Sequence, residues 1–144
     1  MPEDSYWAGL FDADGCVRVS KTKSGHPVLS VSIANCHLPV LRAFRDHFGG
    51  CIAANGRKSE RHRRLYQLLL TSAAAVRFLR AVADHCIVKR EQVLLALEFH
   101  ASIEEWRFRL GNQHRKHPER DAVFAHRWEL AEKIRALKHE RFDL

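Results

Sequence analysis

The sequence predicts an α+β fold, and two observations carry most of that prediction. Between residues 16 and 34, apolar and polar side chains alternate with period two on either side of a turn, as in a β-hairpin. Elsewhere, apolar residues recur every three or four positions in long blocks, as in amphipathic helices. In chain order the blocks read α-β-β-α-β-β-α-α-α. That order gives an αββαββα core, with a four-stranded antiparallel sheet covered by helices on one face, and additional C-terminal helices. A single domain is expected over residues 1–144, with the core at about 4–103 and a helical extension at about 104–144.

The first helix is expected over residues 4–14, with Asp4 or Ser5 as N-cap. Gly9 and Ala13 are small and four apart, so another helix can approach this face closely. Trp7, Leu10 and Phe11 lie on a neighbouring apolar face, and packing against a later helix of the same chain is the alternative. In the hairpin, Val17 and Val19 alternate with Cys16, Arg18 and Ser20. After a turn at Ser24-Gly25-His26-Pro27, Leu29, Val31 and Ile33 alternate with Ser30, Ser32 and Ala34. Leu38 to Phe48 reads as a helix with Pro39 near its first turn and Gly49-Gly50 ending it. Cys51 to Ala54 and Leu65 to Leu70 read as strands joined by an arginine-rich loop. The second of these is apolar apart from Gln67, so alternation leaves its register open. If Tyr66, Leu68 and Leu70 point inward, Gln67 faces out. Ser72 is placed as the cap of a third helix running to about His85. Residues 89–109 form a fourth, 111–118 a mobile polar loop, and 119–139 a last amphipathic helix.

Composition narrows the class of function. At 144 residues and 46% hydrophobic, the chain can bury a core without staples. It has no apolar run of membrane-spanning length and no signal-peptide core. Its four cysteines are widely spaced and form no C-x-x-C pair, so they read as reduced thiols. The chain is therefore expected to be intracellular and not secreted. Lys and Arg total 24 against 17 acids, a net charge of +7 that suits a polyanionic partner. Five of the positive charges fall in Arg57-Lys58-Ser59-Glu60-Arg61-His62-Arg63-Arg64.

The sharpest feature is Trp7-Ala8-Gly9-Leu10-Phe11-Asp12-Ala13-Asp14-Gly15. An apolar helix ends here with two carboxylates in its last turn, where anions are disfavoured by a few tenths to about 1 kcal/mol each. Gly15 suits the left-handed position that stops a helix. Carboxylates beside carbonyls that lack intrahelical partners form an all-oxygen site for a hard divalent cation. A calcium loop beginning D-x-D-G is ruled out, because the sixth residue after Gly15 is Lys21 rather than Glu.

This stretch resembles the signature of the LAGLIDADG homing endonucleases, differing only in Trp7 for Leu and Phe11 for Ile. The likeness extends to about residue 103, although only the first fifteen residues carry a sharp motif. It implies a saddle-shaped sheet that binds double-stranded DNA. Because the motif occurs once, it also implies a homodimer with a near-palindromic target. The first helix would pair with its copy through Trp7, Ala8, Gly9, Leu10, Asp12 and Ala13. The implied reaction is a staggered double-strand cut by Mg²⁺-dependent phosphodiester hydrolysis, with Mn²⁺ or Ca²⁺ able to occupy the site. Asp14 would ligate the metal with the Ala13 carbonyl, while Asp12 would mainly hold the helix end. Lys89 matches a basic residue that organises solvent around the attacking water. His37 falls near a position often held by Gln, where a histidine would position or deprotonate the attacking water; a helix-start residue facing solvent is the alternative. A further basic residue of relatives would fall at Leu41, which cannot serve; either Arg42 substitutes or the water network differs.

The open sheet face would read the major groove. Its expected outward set is Arg18, Ser20, Thr22, Ser24, Ser30, Ser32, Asn55, Arg57 and Gln67. Arg61, Arg63 and Arg64 are assigned to phosphate contacts or loop solvation rather than to base readout. A hydrophilic face without a partner is the bland alternative. No membrane and no small-molecule substrate are expected. The location would be the cytoplasm for a bacterial or phage-encoded chain and an organelle otherwise. An RNA maturase that assists intron splicing is a second reading, and a DNA-binding regulator without cleavage is a third. Retention of Asp14 and Lys89 favours the enzyme. The absence of aromatics on the proposed face disfavours RNA.

Overall fold

The computed structural model describes residues 3–23, 25–55, 63–110, 118–140 and 142. In chain order they form α1 (Asp4–Asp14), β1 (Gly15–Lys21), β2 (Pro27–Asn35), α2 (Leu38–Phe48) and β3 (Cys51–Ala54). There follow β4 (Tyr66–Thr71), α3 (Ser72–Val82), α4 (Arg90–Leu110) and α5 (Arg120–Lys138). The α+β order read from the sequence is the one observed. The division expected near residue 103 falls inside α4, which continues to Leu110. The loop expected at 111–118 lies outside the described residues except for Pro118.

The sheet runs β1-β2-β4-β3, with every neighbouring pair antiparallel. Val17, Leu29, Val31, Ile33, Leu68 and Leu70 are buried on its inner face. That burial settles the β4 register, because a slip of one residue would turn Leu68 and Leu70 to solvent. Gln67 and Leu69 accordingly face outward. The hairpin turn is closed by Thr22, whose Oγ1 donates to His26 O at 3.0 Å and accepts from His26 N–H at 3.1 Å.

Three helices cover the inner face, meeting around an aromatic cluster. Trp7 meets Phe44 edge-on at 5.1 Å and stacks on His47 at 6.1 Å, while Phe11 meets Phe78 at 5.1 Å. Trp7, Ala8 and Phe11 are at most 1% exposed. Trp7 and Ala8, expected to face a second copy, are thus buried within their own chain, Trp7 against Phe44 and Phe48 of α2. The exposed residues of α1 are Ser5, Tyr6, Gly9, Ala13 and Asp14, with Leu10 half-buried.

Helix ends also differ from the sequence reading. Glu3 rather than Asp4 or Ser5 is the N-cap of α1, and Thr71 rather than Ser72 precedes α3, which stops at Val82. Gly15 is extended, with φ −89° and ψ 164°, not left-handed. Its need for glycine is steric: an added Cβ would lie 2.0 Å from Phe11 Cδ2 and 2.6 Å from Phe11 O.

The last two helices pack against each other, and α5 also lies along β1. Arg127 joins them, donating from Nε to Ser102 Oγ at 3.2 Å and from Nη2 to Ser102 O at 3.3 Å. Phe124 on α5 meets His26 in the hairpin turn at 5.2 Å, and Lys138 at its other end reaches Cys16. The helix therefore spans the β1 edge from the hairpin turn to the start of the strand.

Candidate metal centre and sheet face

The two acids of the motif have separate environments. Asp12 accepts three backbone hydrogen bonds from the turn before α4. Ile87 N–H and Val88 N–H donate to Oδ2 at 2.7 and 3.2 Å, and Lys89 N–H donates to Oδ1 at 3.0 Å. Burial pushes the Asp12 carboxyl up, but the bonds from Ile87, Lys89 and Val88 outweigh it and hold the group below the usual carboxylate range. The buried Cys86 thiol also donates to Asp12. Burial first, then the Asp12 charge and this bond, push that thiol up to about 12. Cys86 is thus protonated and unreactive at neutral pH.

Lys89 Nζ donates to the main-chain carbonyl of Asp12, one of the oxygens left without a helical partner at the end of α1. The cation predicted for this helix end is thus partly supplied by the chain itself. Lys89 is brought to the motif, as the sequence reading required.

Asp14 is different. It is exposed, and its one described side-chain partner is Asn35 at the end of β2, whose Nδ2 donates to Oδ2 at 2.9 Å. The Asn35 amide is oriented in turn, because its Oδ1 accepts from His37 N–H at 2.8 Å. One carboxylate oxygen is therefore fixed, and the remaining lone pairs face solvent beside the exposed Ala13. An oxygen set of this kind suits Mg²⁺, which takes one or two carboxylates and keeps several waters. Among the described residues no group of three or more His, Cys, Asp and Glu forms a complete cage. One Asp14 is half of a site at most.

His37 caps α2, accepting from Val40 N–H at 3.3 Å through Nδ1. The side chain that touches Asp14 is not His37 but Asn35, at the end of β2. Sequence reasoning passed over Asn35, although a signal existed: Ile33 is inward, so Asn35 is a polar residue at inward parity where the strand ends. Tyr6, three and seven positions before Gly9 and Ala13, is exposed on the same helix and was not singled out from the sequence.

The outer face is read from the register. Arg18, Ser30 and Thr71 form one cross-strand row, Cys16, Ser32, Leu69 and Cys51 a second, and Ala34, Gln67 and Ala53 a third. Ser20 pairs with Val28 further along. Arg18, Ser20, Ser30, Ser32 and Gln67 thus share the face the sequence assigned them, and Thr71 joins them unforeseen. Leu69 is 43% exposed among them, an apolar contact point on a polar surface. Thr22 has its hydroxyl committed to the turn. Asn55 donates its N–H to Leu65 O at 2.8 Å beyond β3, and Arg63 and Arg64 are exposed. Ser24, Arg57 and Arg61 lie outside the described residues.

Residues 2–82 match the family model described as a LAGLIDADG-like domain. The chain belongs to the LAGLIDADG family. No curated protein matches it. Solved structures share the fold at low identity. The homing endonuclease I-CvuI, bound to the I-CreI target with Mg, superposes with a TM-score of 0.69 at 16% identity over 98% of this chain and 85% of that one. The archaeal intron-encoded homing endonuclease I-Vdi141I, complexed with DNA, gives 0.54 at 18%, over 95% and 97% of the two chains. The LAGLIDADG meganuclease I-AabMI, bound to uncleaved DNA, gives 0.63 at 20%, over 95% of this chain but 43% of that one. Among the described residues, no helix of this LAGLIDADG protein is long and apolar enough to cross a membrane.

Proposed function

We propose that this LAGLIDADG protein is a site-specific endonuclease that hydrolyses both strands of a near-palindromic DNA duplex as a homodimer. The single observation that carries the reading is the division of labour within the motif. Asp12 is saturated by backbone donors, while Asp14 stands exposed with coordination capacity to spare, at the end of the helix that leads into the outward sheet face.

Each residue has a role that its contacts support. Asn35 fixes the Asp14 carboxylate by one hydrogen bond, so that the other lone pairs remain presented. Asp14 and the Ala13 carbonyl would hold Mg²⁺, with the partner's copies of both completing the site. Magnesium, when bound, would polarise the scissile phosphate and lower the pKa of a water. Lys89 pins the end of α1 and places positive charge near the accumulating phosphate charge. Arg18 and Gln67 have the functional groups that pair with guanine and adenine edges in the major groove, and Ser20, Ser30 and Ser32 suit direct or water-bridged contacts. Arg63 and Arg64 suit phosphates. The match of nearly all of this chain to less than half of I-AabMI supports the need for a second copy.

Selection of cut sites from a randomised duplex library with Mg²⁺ tests the reading directly. Near-palindromic sites cut on both strands are expected. Asp14→Asn should abolish cleavage and leave duplex binding in place. Cleavage by that variant at the wild-type rate would refute the metal assignment.

A further inference from the structure

The roles above leave one side chain of the outer face unused. Leu69 is 43% exposed on β4, an inner strand of the sheet, with β2 on one side and β3 on the other. A single exposed leucine needs no explanation on most surfaces. This one is distinguished by where it stands. Its row partners are Ser32 and Cys51, and the neighbouring row contributes Ala34 and Ala53. All four are short, so the leucine rises above its surroundings toward whatever the face meets. The long side chains able to hydrogen-bond base edges, Arg18 and Gln67, lie in the rows on either side. At the row between them, the group that reaches furthest is hydrocarbon.

Among the four bases, only thymine places a methyl group in the major groove, at C5. The other edges there present donors or acceptors that a leucine cannot satisfy, and burying one against it unpaired costs free energy. Gln67 and Leu69 are two residues apart on one strand, about 7 Å, which spans about two base-pair steps. We propose that Leu69 is a specificity-determining residue that selects a pyrimidine carrying a 5-methyl group at one position of each half-site. Thymine and 5-methylcytosine both qualify, because their methyl groups occupy the same place in the groove. Cytosine methylation at that position should therefore strengthen binding rather than block it. The proposal rests on the DNA reading above.

The test begins with sites selected from a randomised duplex library by wild type and by Leu69→Ala. One position in each half-site should be enriched in thymine for wild type and lose that preference in the variant. Replacing this thymine by deoxyuridine removes the methyl group alone. With Ca²⁺ present, wild-type binding should weaken about fourfold per half-site, the worth of one buried methyl group, and roughly fifteenfold when both are changed. Deoxycytidine paired with guanine there should bind more weakly than 5-methyldeoxycytidine by a similar factor. Leu69→Ala should respond to neither exchange, because the contact is already gone. Leu94→Ala, which trims a leucine 50% exposed on α4, should behave as wild type. A thymine preference unchanged in Leu69→Ala overturns the proposal. So does wild-type protein that binds thymine and deoxyuridine sites equally, or a methyl effect that Leu69→Ala retains. Wild-type protein that binds no duplex at all would sink the DNA reading itself, a failure separate from these.

Discussion

Asp12 and Asp14 are two residues apart and do opposite things, and their partners explain why. Three N–H groups converge on Asp12, and leaving them without a charged acceptor should cost about 1–3 kcal/mol. Asp12→Asn is expected to lower stability by that amount in urea denaturation at pH 7. The loss should shrink with acid. The folded carboxyl titrates below the unfolded value of 3.8, so its contribution is full above that value and fades as pH falls through the folded one. Denaturation midpoints taken from pH 7 down to pH 3 would show wild type converging on the variant. Gly15→Ala should destabilise by ~1–3 kcal/mol, because the new methyl meets both the Phe11 ring and its carbonyl. The motif's acids and its closing glycine were all legible as special. The reason for the glycine was not, because φ near −90° carries no sequence mark and the clash is made by a side chain four residues back. Asn35 carried a parity signal, but its pairing with Asp14 did not, and Lys138 carried none: their contacts cross 21 and 122 residues of chain, and no local period records such pairings.

At the level of elements, α1 shows how an apolar helix can mislead. Hydrophobic side chains occupy several of its faces, so the sequence does not say which face turns inward. The aromatic cluster decides it, taking Trp7 and Phe11 and leaving Tyr6, Gly9 and Ala13 outside. A Cβ at Gly9 would meet nothing within 4 Å in the isolated chain. Gly9→Leu should therefore leave the monomer folded, and even favour α1 by about 0.5–1 kcal/mol through reduced backbone entropy loss. It should nevertheless abolish dimerisation, because a leucine there would hold a second helix away. Sedimentation velocity separates the two effects. A Gly9→Leu protein that still sediments as a dimer would remove α1 from the interface. The strands were easier to foresee: three of the four alternate or are too short to mislead, and only β4 needed burial to fix its register.

For the whole molecule, the arrangement is that of an incomplete site on a charged scaffold. One exposed carboxylate and one carbonyl per chain are too few ligands to hold Mg²⁺ tightly, since a small, tightly hydrated cation needs further oxygen ligands. Calorimetric titration should find little Mg²⁺ binding to protein alone and a clear rise once a cleavable-site duplex supplies phosphate oxygens. Tight binding without DNA would indicate a cage elsewhere. The architecture as a whole was readable from periodicity and one motif. What the pattern could not give was the route by which the last helix returns along β1 to the motif it follows by more than a hundred residues. The saturated state of Asp12 has a consequence for lineages of such chains. On the roles proposed, a mutation at Asp14 would silence cutting yet spare the scaffold, whereas one at Asp12 would loosen the scaffold first. Descendants that drift into non-cutting roles are therefore expected to shed the outer acid of the pair and retain the inner one.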